Sequence, residues 1–374
     1  MGQWNEAKIG EIAEVKGGKR IPKGRKLIKE PNSHPYIRIR NLGKTKYMQL
    51  NTDYEYVDEE TQQMIARYIV NQGDILISVV GTIGLVGIVG NTLDKANQTE
   101  NCDKIINIKK VLSEYLYYYL VSSFGQDEIK KGTVGAVQPK LPLKNVKDII
   151  VKYPPIKEQK QIVEILSAID EKIELNETIN NNLEQQAQAI YQQMFIENQN
   201  PNWKEGKLSD LVAVKYGKDH KKLDGGCYPV YGSGGIMRYV EKPLYTGESV
   251  LIPRKGTLNN VMYVNGAFWS VDTMFYTEML RPNIAKFVYH FVKGKDLASL
   301  NAGSAVPSMT TNILNAMPLY VPDDKTLSIF EETVTPMYSQ MQENEKQSAN
   351  LANIRDTLLP RLMSGELEVS DIDL

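Results

Sequence analysis

The sequence is poor in the residues that build cross-linked or reactive proteins. Among 374 residues there are two cysteines, Cys102 and Cys227, and neither lies in a CxxC or Cys/His cluster. That excludes a disulfide framework and a zinc site of ordinary spacing, and a reducing cytoplasm fits such a chain. The three histidines, His34, His220 and His290, lie far apart with no nucleophile or ligand spacing around them. His290 falls in an aromatic run, where a hydrogen-bonded core histidine is expected. No apolar run is long enough to span a bilayer: the longest, Ile75 to Val89, is short and interrupted by glycine, and reads as two strands with a glycine turn. The N-terminus lacks the basic-then-apolar pattern of an export signal, so none is expected.

Catalytic motifs are missing in the same way. Gly43-Lys44-Thr45 ends like a phosphate-binding loop, but Arg38 stands where its first glycine belongs. Gly81, Gly84 and Gly87 are spaced three apart, as turn glycines and not as a dinucleotide fingerprint. Tyr153-Pro154-Pro155-Ile156 lacks the polar first and aromatic last residues of an adenine-methyltransferase motif, and marks a module boundary instead.

What the chain does have is segregated charge. Its formal net charge is −1, yet residues 156–199 carry −5, residues 323–374 carry −7, and everything else carries +11. Two basic globular parts and two acidic helical parts imply two kinds of partner, a polyanion and a protein.

It also repeats. Trp4, Lys8, Ile9, Ile12, Val15, Gly18 and Lys19 recur 199 residues later as Trp203, Lys207, Leu208, Leu211, Val214, Gly217 and Lys218. Shorter offsets then match Gly73-Asp74-Ile75 with Gly247-Glu248-Ser249, Gly81-Thr82 with Gly256-Thr257, Tyr115 to Tyr119 with Phe287 to Phe291, and Ala136-Val137 with Ala305-Val306. Each copy is a mixed module of strands and turns followed by a helix with a 4,3 apolar repeat. The first seam runs Ile162, Leu166, Ile169, Ile173, Asn176, Asn180, Leu183, Ala187, Ile190, Met194. The second runs Phe330, Val334, Met337, Met341, Asn344, Ser348, Leu351, Arg355, Leu358, Leu362, each 168 residues (24 heptads) after its counterpart. A polar pair at the same depth in both is the kind of feature that fixes coiled-coil register, so the helices are expected to pair antiparallel. Pro336 is expected to kink or restart the second one. A seam of this length would span about 50 Å and act as a ruler between the modules.

The expected fold is therefore α+β: two mixed α/β modules, mainly β, at 1–155 and 200–322, separated by two long antiparallel helices at 156–199 and 323–374 that form a coiled coil. Candidate polyanion contacts concentrate in loops. Residues 1–50 hold 12 Lys/Arg against 4 Asp/Glu. Lys19, Arg20, Lys23, Arg25 and Lys26 cluster around Gly17, Gly18, Pro22 and Gly24, with Arg38, Arg40 and Asn41 beyond them. The second copy offers Lys218, His220, Lys221 and Lys222, then Tyr231, Ser233 and Arg238. The two Gly-Thr turns add Thr82, Arg254, Lys255, Thr257, Asn259 and Asn260, and Gln138 and Lys140 complete the set. Cations and backbone amides grip phosphates, while Arg, Lys, Asn and Gln also pair with base edges.

These features resemble the specificity subunit of Type I restriction-modification systems. The resemblance rests on Trp4 with Lys8-Ile9-Gly10-Glu11-Ile12, on Gly73 to Ser78 with Gly81 to Gly84, and on Gln138-Pro139-Lys140-Leu141 leading into Pro154-Pro155-Ile156-Lys157-Glu158-Gln159. The ending Leu358-Leu359-Pro360-Arg361-Leu362-Met363-Ser364-Gly365-Glu366-Leu367 is the most distinctive part. The second copy departs from it where the Gly-Thr turn continues as Leu258-Asn259-Asn260 and where Lys325-Thr326 replaces Glu-Gln. The resemblance implies two target recognition domains, each reading half of a split asymmetric site on double-stranded DNA, with helices that set the spacer and dock two methyltransferase subunits. It implies no catalysis and no cofactor in this chain: S-adenosylmethionine, ATP and Mg would sit on the methyltransferase and the ATP-dependent restriction subunits. A non-enzymatic scaffold whose basic heads bind RNA or acidic protein, and an enzyme with an unrecognised centre, are the alternatives from other classes.

Overall fold

In the computed structural model, which describes residues 4–300 and 308–369, the chain forms two compact units, Met1–Glu177 with Glu345–Leu374, and Thr178–Asn344. Compactness thus groups each half of the long helices with one module, where the sequence suggested four consecutive segments.

The first unit is built on a five-stranded sheet of β1 (Glu14–Gly17), β2 (Tyr47–Met48), β3 (Ile75–Ser78), β4 (Val86–Val89) and β5 (Cys102–Ile106), in the order β1-β5-β3-β4-β2. All neighbours are antiparallel except β2, which runs parallel to β4. The run Ile75 to Val89 is the strand pair expected of it, with Ile75 opposite Ile88. Its strand β3 reads as continuously apolar because both faces are covered. Ile75 and Ile77 join a core with Ile105 and Tyr115, while Leu76 joins a second one with Leu93 and Cys102. The connecting turn needs Gly81 and Gly84, whose φ values of 77° and 87° suit glycine alone among ordinary residues. Helix α1 (Ser113–Val121) closes the core by burying Tyr115, Leu116, Tyr118, Tyr119 and Leu120.

The second unit repeats this plan. Its strands are β6 (Val212–Tyr216), β7 (Tyr228–Gly232), β8 (Gly235–Val240), β9 (Tyr245–Pro253), β10 (Met262–Ser270) and β11 (Met274–Met279), ordered β6-β11-β9-β10-β7-β8. Strand β7 runs parallel to the end of β10 and antiparallel to β8, as Pro35–Ile37 of the first unit runs parallel to Asn97–Gln98 and antiparallel to Glu55–Tyr56, so β7 and β8 both have counterparts there. Helix α2 (Ala285–Lys293) takes the place of α1. Each module also closes on itself. Asn5–Lys8 pairs antiparallel with Ile150–Tyr153, and Lys204–Lys207 with Pro318–Val321. The duplication is thus one of strand order as well as of sequence; the match at Ala305-Val306 lies outside the described residues.

The long helices are α3 (Ile156–Tyr191), which begins straight after Pro154-Pro155 and ends in a π turn (Gln192–Glu197), and α4 (Asp324–Ser364). Within each unit they lie antiparallel. In the first, Arg355 Nη1 donates to Asp170 Oδ1 at 3.0 Å and Asn176 Nδ2 to Gln347 Oε1 at 2.9 Å and Ser348 Oγ at 3.2 Å. In the second, Asn344 Nδ2 donates to Asn180 Oδ1 at 2.8 Å and Asn180 Nδ2 to the Met341 carbonyl at 3.1 Å. The polar layer is made of the residues the heptads singled out.

The apolar seam is less uniform than the heptads suggested. Ile162 and Leu166 merge with Leu359, Leu362 and Met363 into the first module's core, with Leu358 packed against it, and Ile190, Val334 and Met337 join the second module's core. Ile169 is buried, while Ile173, Leu183, Met341 and Leu351 are only half-buried. The restart expected at Pro336 does not occur: α4 runs unbroken through it. Pro336 and Glu332, whose carbonyl loses its amide partner, both lie on the exposed face, where water can satisfy that oxygen. Among the described residues, no helix is long and apolar enough to cross a membrane.

Candidate DNA interface

In the first module the basic loop leaves β1 through Gly18, which is pressed against β5's approach: a Cβ there would lie 2.0 Å from the Thr99 carbonyl oxygen. The loop is then pinned. Gly18 N–H donates to the Cys102 carbonyl, Lys19 N–H to that of Gln98, and the Tyr36 hydroxyl to that of Lys19. Burial pushes the Tyr36 phenol up to about 12, so it remains a donor at neutral pH.

The arginines of this module do not project freely. Arg20 Nε donates to Glu100 Oε1 at 2.6 Å; partial burial opposes it, but Arg20 and Thr99 hold the Glu100 carboxyl below its ordinary value. Arg25, half-buried, pairs with Asp58 and Glu60 at the start of a helix. Arg38 and Arg40 share one carboxylate oxygen of Glu55, at 2.6 and 3.0 Å. Asn41 is buried and spends its side-chain oxygen on the Arg38 N–H, so it caps a turn. The lysines differ. Lys23 and Lys26 are exposed with no ion-pair partner among the described residues, and Lys19 lies 5.7 Å from the Tyr68 ring centroid. Exposed Thr82 stands in the Gly-Thr turn; exposed Lys140 bridges Val80 and Val134, with Gln138 exposed just before it.

The second module rebuilds this end of its sheet with other side chains. Gly217 is pressed on the Val271 carbonyl as Gly18 is on that of Thr99, and Lys218 N–H donates to the Ser270 carbonyl. The Trp269 indole N–H donates to the Lys218 carbonyl at 2.8 Å, and the Val271 N–H to the Tyr231 carbonyl. Asn260 Nδ2 donates to the Ser233 carbonyl at 2.7 Å, which ties the Gly256-Thr257 turn to the β7–β8 turn. Asn259 is held by Asp296 and Ala298. Arg254 lies over the Tyr216 ring at 5.4 Å, and Arg238 donates to the Leu223 carbonyl, fixing the His220-Lys221-Lys222 turn against β8. Half-buried His220 leaves its Nδ1 without a hydrogen-bond partner among the described residues. Lys218, Lys221, Lys222 and Lys255 are exposed and make no ion pair among the described residues.

Each module thus gathers its sequence-predicted residues on neighbouring loops, but in two roles. Most arginines and asparagines hold loop geometry, and most lysines stand free. The acidic partners Glu55 and Glu100 were not foreseeable, because their pairing depends on strand neighbours far away in sequence.

Matched positions also anchor the modules to the helices. Tyr118 of α1 donates to Asp170 at 2.7 Å; its counterpart His290 meets Tyr338, the residue 168 positions after Asp170, at 2.9 Å. His290 is wholly buried, as expected of a core histidine, with its other nitrogen on Gln188 at 2.7 Å, and burial lowers its pKa to about 4. Among the described residues no group of His, Cys, Asp and Glu is arranged to hold a metal ion.

One scaffold used twice, with differing cationic and amide-bearing loops at corresponding places, defines a double recognition protein. The chain matches the family model for the Type I restriction modification DNA specificity domain twice, over residues 1–185 and 200–348. Among curated proteins it is similar to the Type I restriction enzyme MjaIX specificity subunit of Methanocaldococcus jannaschii, 24% identical with 99% of this chain and 94% of that one covered. It is also similar to the HindI specificity subunit of Haemophilus influenzae, 20% identical with 98% and 100% covered. Among solved structures, the Type I restriction-modification S subunit from M. genitalium shares the fold, with TM-score 0.59, 19% identity and 96% of both chains covered. The chain belongs to the Type I restriction-modification specificity subunit family and carries two target recognition domains. Members of this family are the non-catalytic DNA-recognition subunits of complexes that also contain methyltransferase and restriction subunits. The RNA- or protein-binding scaffold is not favoured by this membership.

Proposed function

We propose that each module reads one half of a bipartite, asymmetric DNA site, that α3 and α4 set the spacer between the halves, and that the helices dock two methyltransferase subunits. S-adenosylmethionine would be held by those subunits, ATP and Mg by the restriction subunits, and the whole complex would work in the cytoplasm. The observation that carries this reading is the contrast within the duplication. Strand order is conserved between the modules, while the loops at the same sheet end differ residue by residue. Equal scaffolds with unequal loops recognise unequal sequences. The free lysines supply sequence-independent phosphate contacts, and the arginines held by carboxylates are pre-oriented, so little side-chain freedom is lost on binding.

The test is to express the chain with its methyltransferase subunit in a host lacking adenine methylation and map the modified adenines. One split motif with a fixed spacer is expected. Methylation without sequence preference would overturn the reading.

A further inference from the structure

We propose that β8, the edge strand of the second module's sheet, is a base-contacting ribbon whose apolar side chains pack on thymine methyl groups in the major groove of that module's half-site. This rests on the DNA-recognition reading above.

Strands β7 and β8 form an antiparallel ribbon around the turn Ser233-Gly234, at the rim of the six-stranded sheet. The free edge is apolar: Ile236, Met237 and Tyr239 are 51%, 60% and 52% exposed. Exposed edges are normally blunted with charge, because an apolar one invites association. Three large apolar side chains within four positions therefore point to an occupant. Alternation along the strand puts Met237 and Tyr239 on one face. Met237 lies flat over Gly232, where a Cβ would sit 2.5 Å from its sulfur, so the bare glycine leaves a low apolar shelf.

The surroundings select a polyanion. Arg238 fastens the turn carrying Lys221 and Lys222 beside the ribbon, Lys242 follows it, and Asn260 brings the turn after Lys255 against its tip. Of the nearby carboxylates, Asp219 is engaged by the Lys221 N–H, and Glu241 lies 3.9 Å from Lys242. A two-stranded ribbon fits the major groove, and an apolar side chain there meets one feature of the base edges, the thymine methyl.

The experiment uses the complex of the chain with its methyltransferase subunits and duplexes bearing the mapped site, in which each thymine in turn is replaced by uracil. For the wild-type chain, uracil at one or two positions of a single half-site should weaken binding about fourfold per methyl removed. The M237A/Y239A chain should bind the parent duplex more weakly and lose that sensitivity, while uracil in the other half-site affects both proteins alike. Far-UV circular dichroism checks that the variant folds. If the variant keeps both affinity and uracil sensitivity, or if no uracil weakens wild-type binding, the proposal is wrong. If the variant folds but no longer assembles with the methyltransferase subunits, the ribbon is a protein-docking edge and the proposal is equally overturned. Wild-type binding without any sequence preference would instead overturn the recognition reading itself.

Discussion

Lys286 offers a sharp test of how the second module is held to its helix. Its ammonium lies 2.8 Å from Glu331 of α4 and 2.9 Å from Glu248 of β9, with the Tyr263 and Tyr338 rings 5.3 and 5.8 Å away, and its side chain is 5% exposed. Lys286→Met keeps the length and removes the charge. Glu331, whose side chain is 7% exposed, would then keep only the Lys286 backbone N–H, at 3.0 Å. Breaking a buried pair on one side costs about 3–5 kcal/mol, and the surviving backbone bond places this case near 3 kcal/mol. Lys286→Met with Glu331→Gln removes both charges and keeps an acceptor for that N–H, so it should cost roughly 1 kcal/mol, about 2 kcal/mol less than the single variant. The assay is urea unfolding followed by tryptophan fluorescence. Of the three tryptophans, Trp203 and Trp269 lie in the second unit, so a Trp4→Phe background reports on that unit alone. If the single variant loses no more than the double, the pair does not anchor the module.

His290, neutral in the fold with a pKa near 4 against an ordinary 6.5, should make the second unit less stable as pH falls from about 6.5 toward 4, because the unfolded chain takes up the proton first. The full loss is about 3 kcal/mol. His290→Asn should flatten that slope in the same fluorescence assay, and an unchanged slope would assign it elsewhere. Replacing Lys221 and Lys222 by Ala should lower the salt dependence of DNA binding by about 0.9 in log–log slope for each phosphate no longer neutralised, measured by fluorescence anisotropy. An identical slope would remove that turn from the interface. Inserting seven residues at matched depths in α3 and α4 lengthens each by about 10.5 Å. The mapped spacer should grow accordingly, and an unchanged spacer would sink the ruler.

Periodicity and duplication were legible because they are local. The 4,3 spacing marked both helices and the polar layer at Asn176, Asn180, Asn344 and Ser348, and the Gly-Thr turns announced themselves by glycines that the backbone requires. Where tertiary packing decides, the sequence was silent. The capture of Arg38 and Arg40 by Glu55 depends on one strand folding back along another, and the absorption of Ile162 and Ile190 into module cores depends on which faces the helices present to them. Pro336 misled for the same reason: its cost depends on whether the freed carbonyl faces water. Basic composition could not separate cations that stand free from those already paired.

The short antiparallel pairs Asn5–Lys8 with Ile150–Tyr153, and Lys204–Lys207 with Pro318–Val321, bring the two ends of each module side by side. Everything between Lys8 and Ile150, or between Lys207 and Pro318, is therefore topologically a loop hung from a four-residue clasp. Because closing a loop costs only logarithmically more as it lengthens, a foreign segment of another length could be spliced in at the clasp without redesigning α3 or α4. New specificities would then arise in one genetic step, by exchanging whole cassettes, with no need for base-by-base adaptation of an old reader.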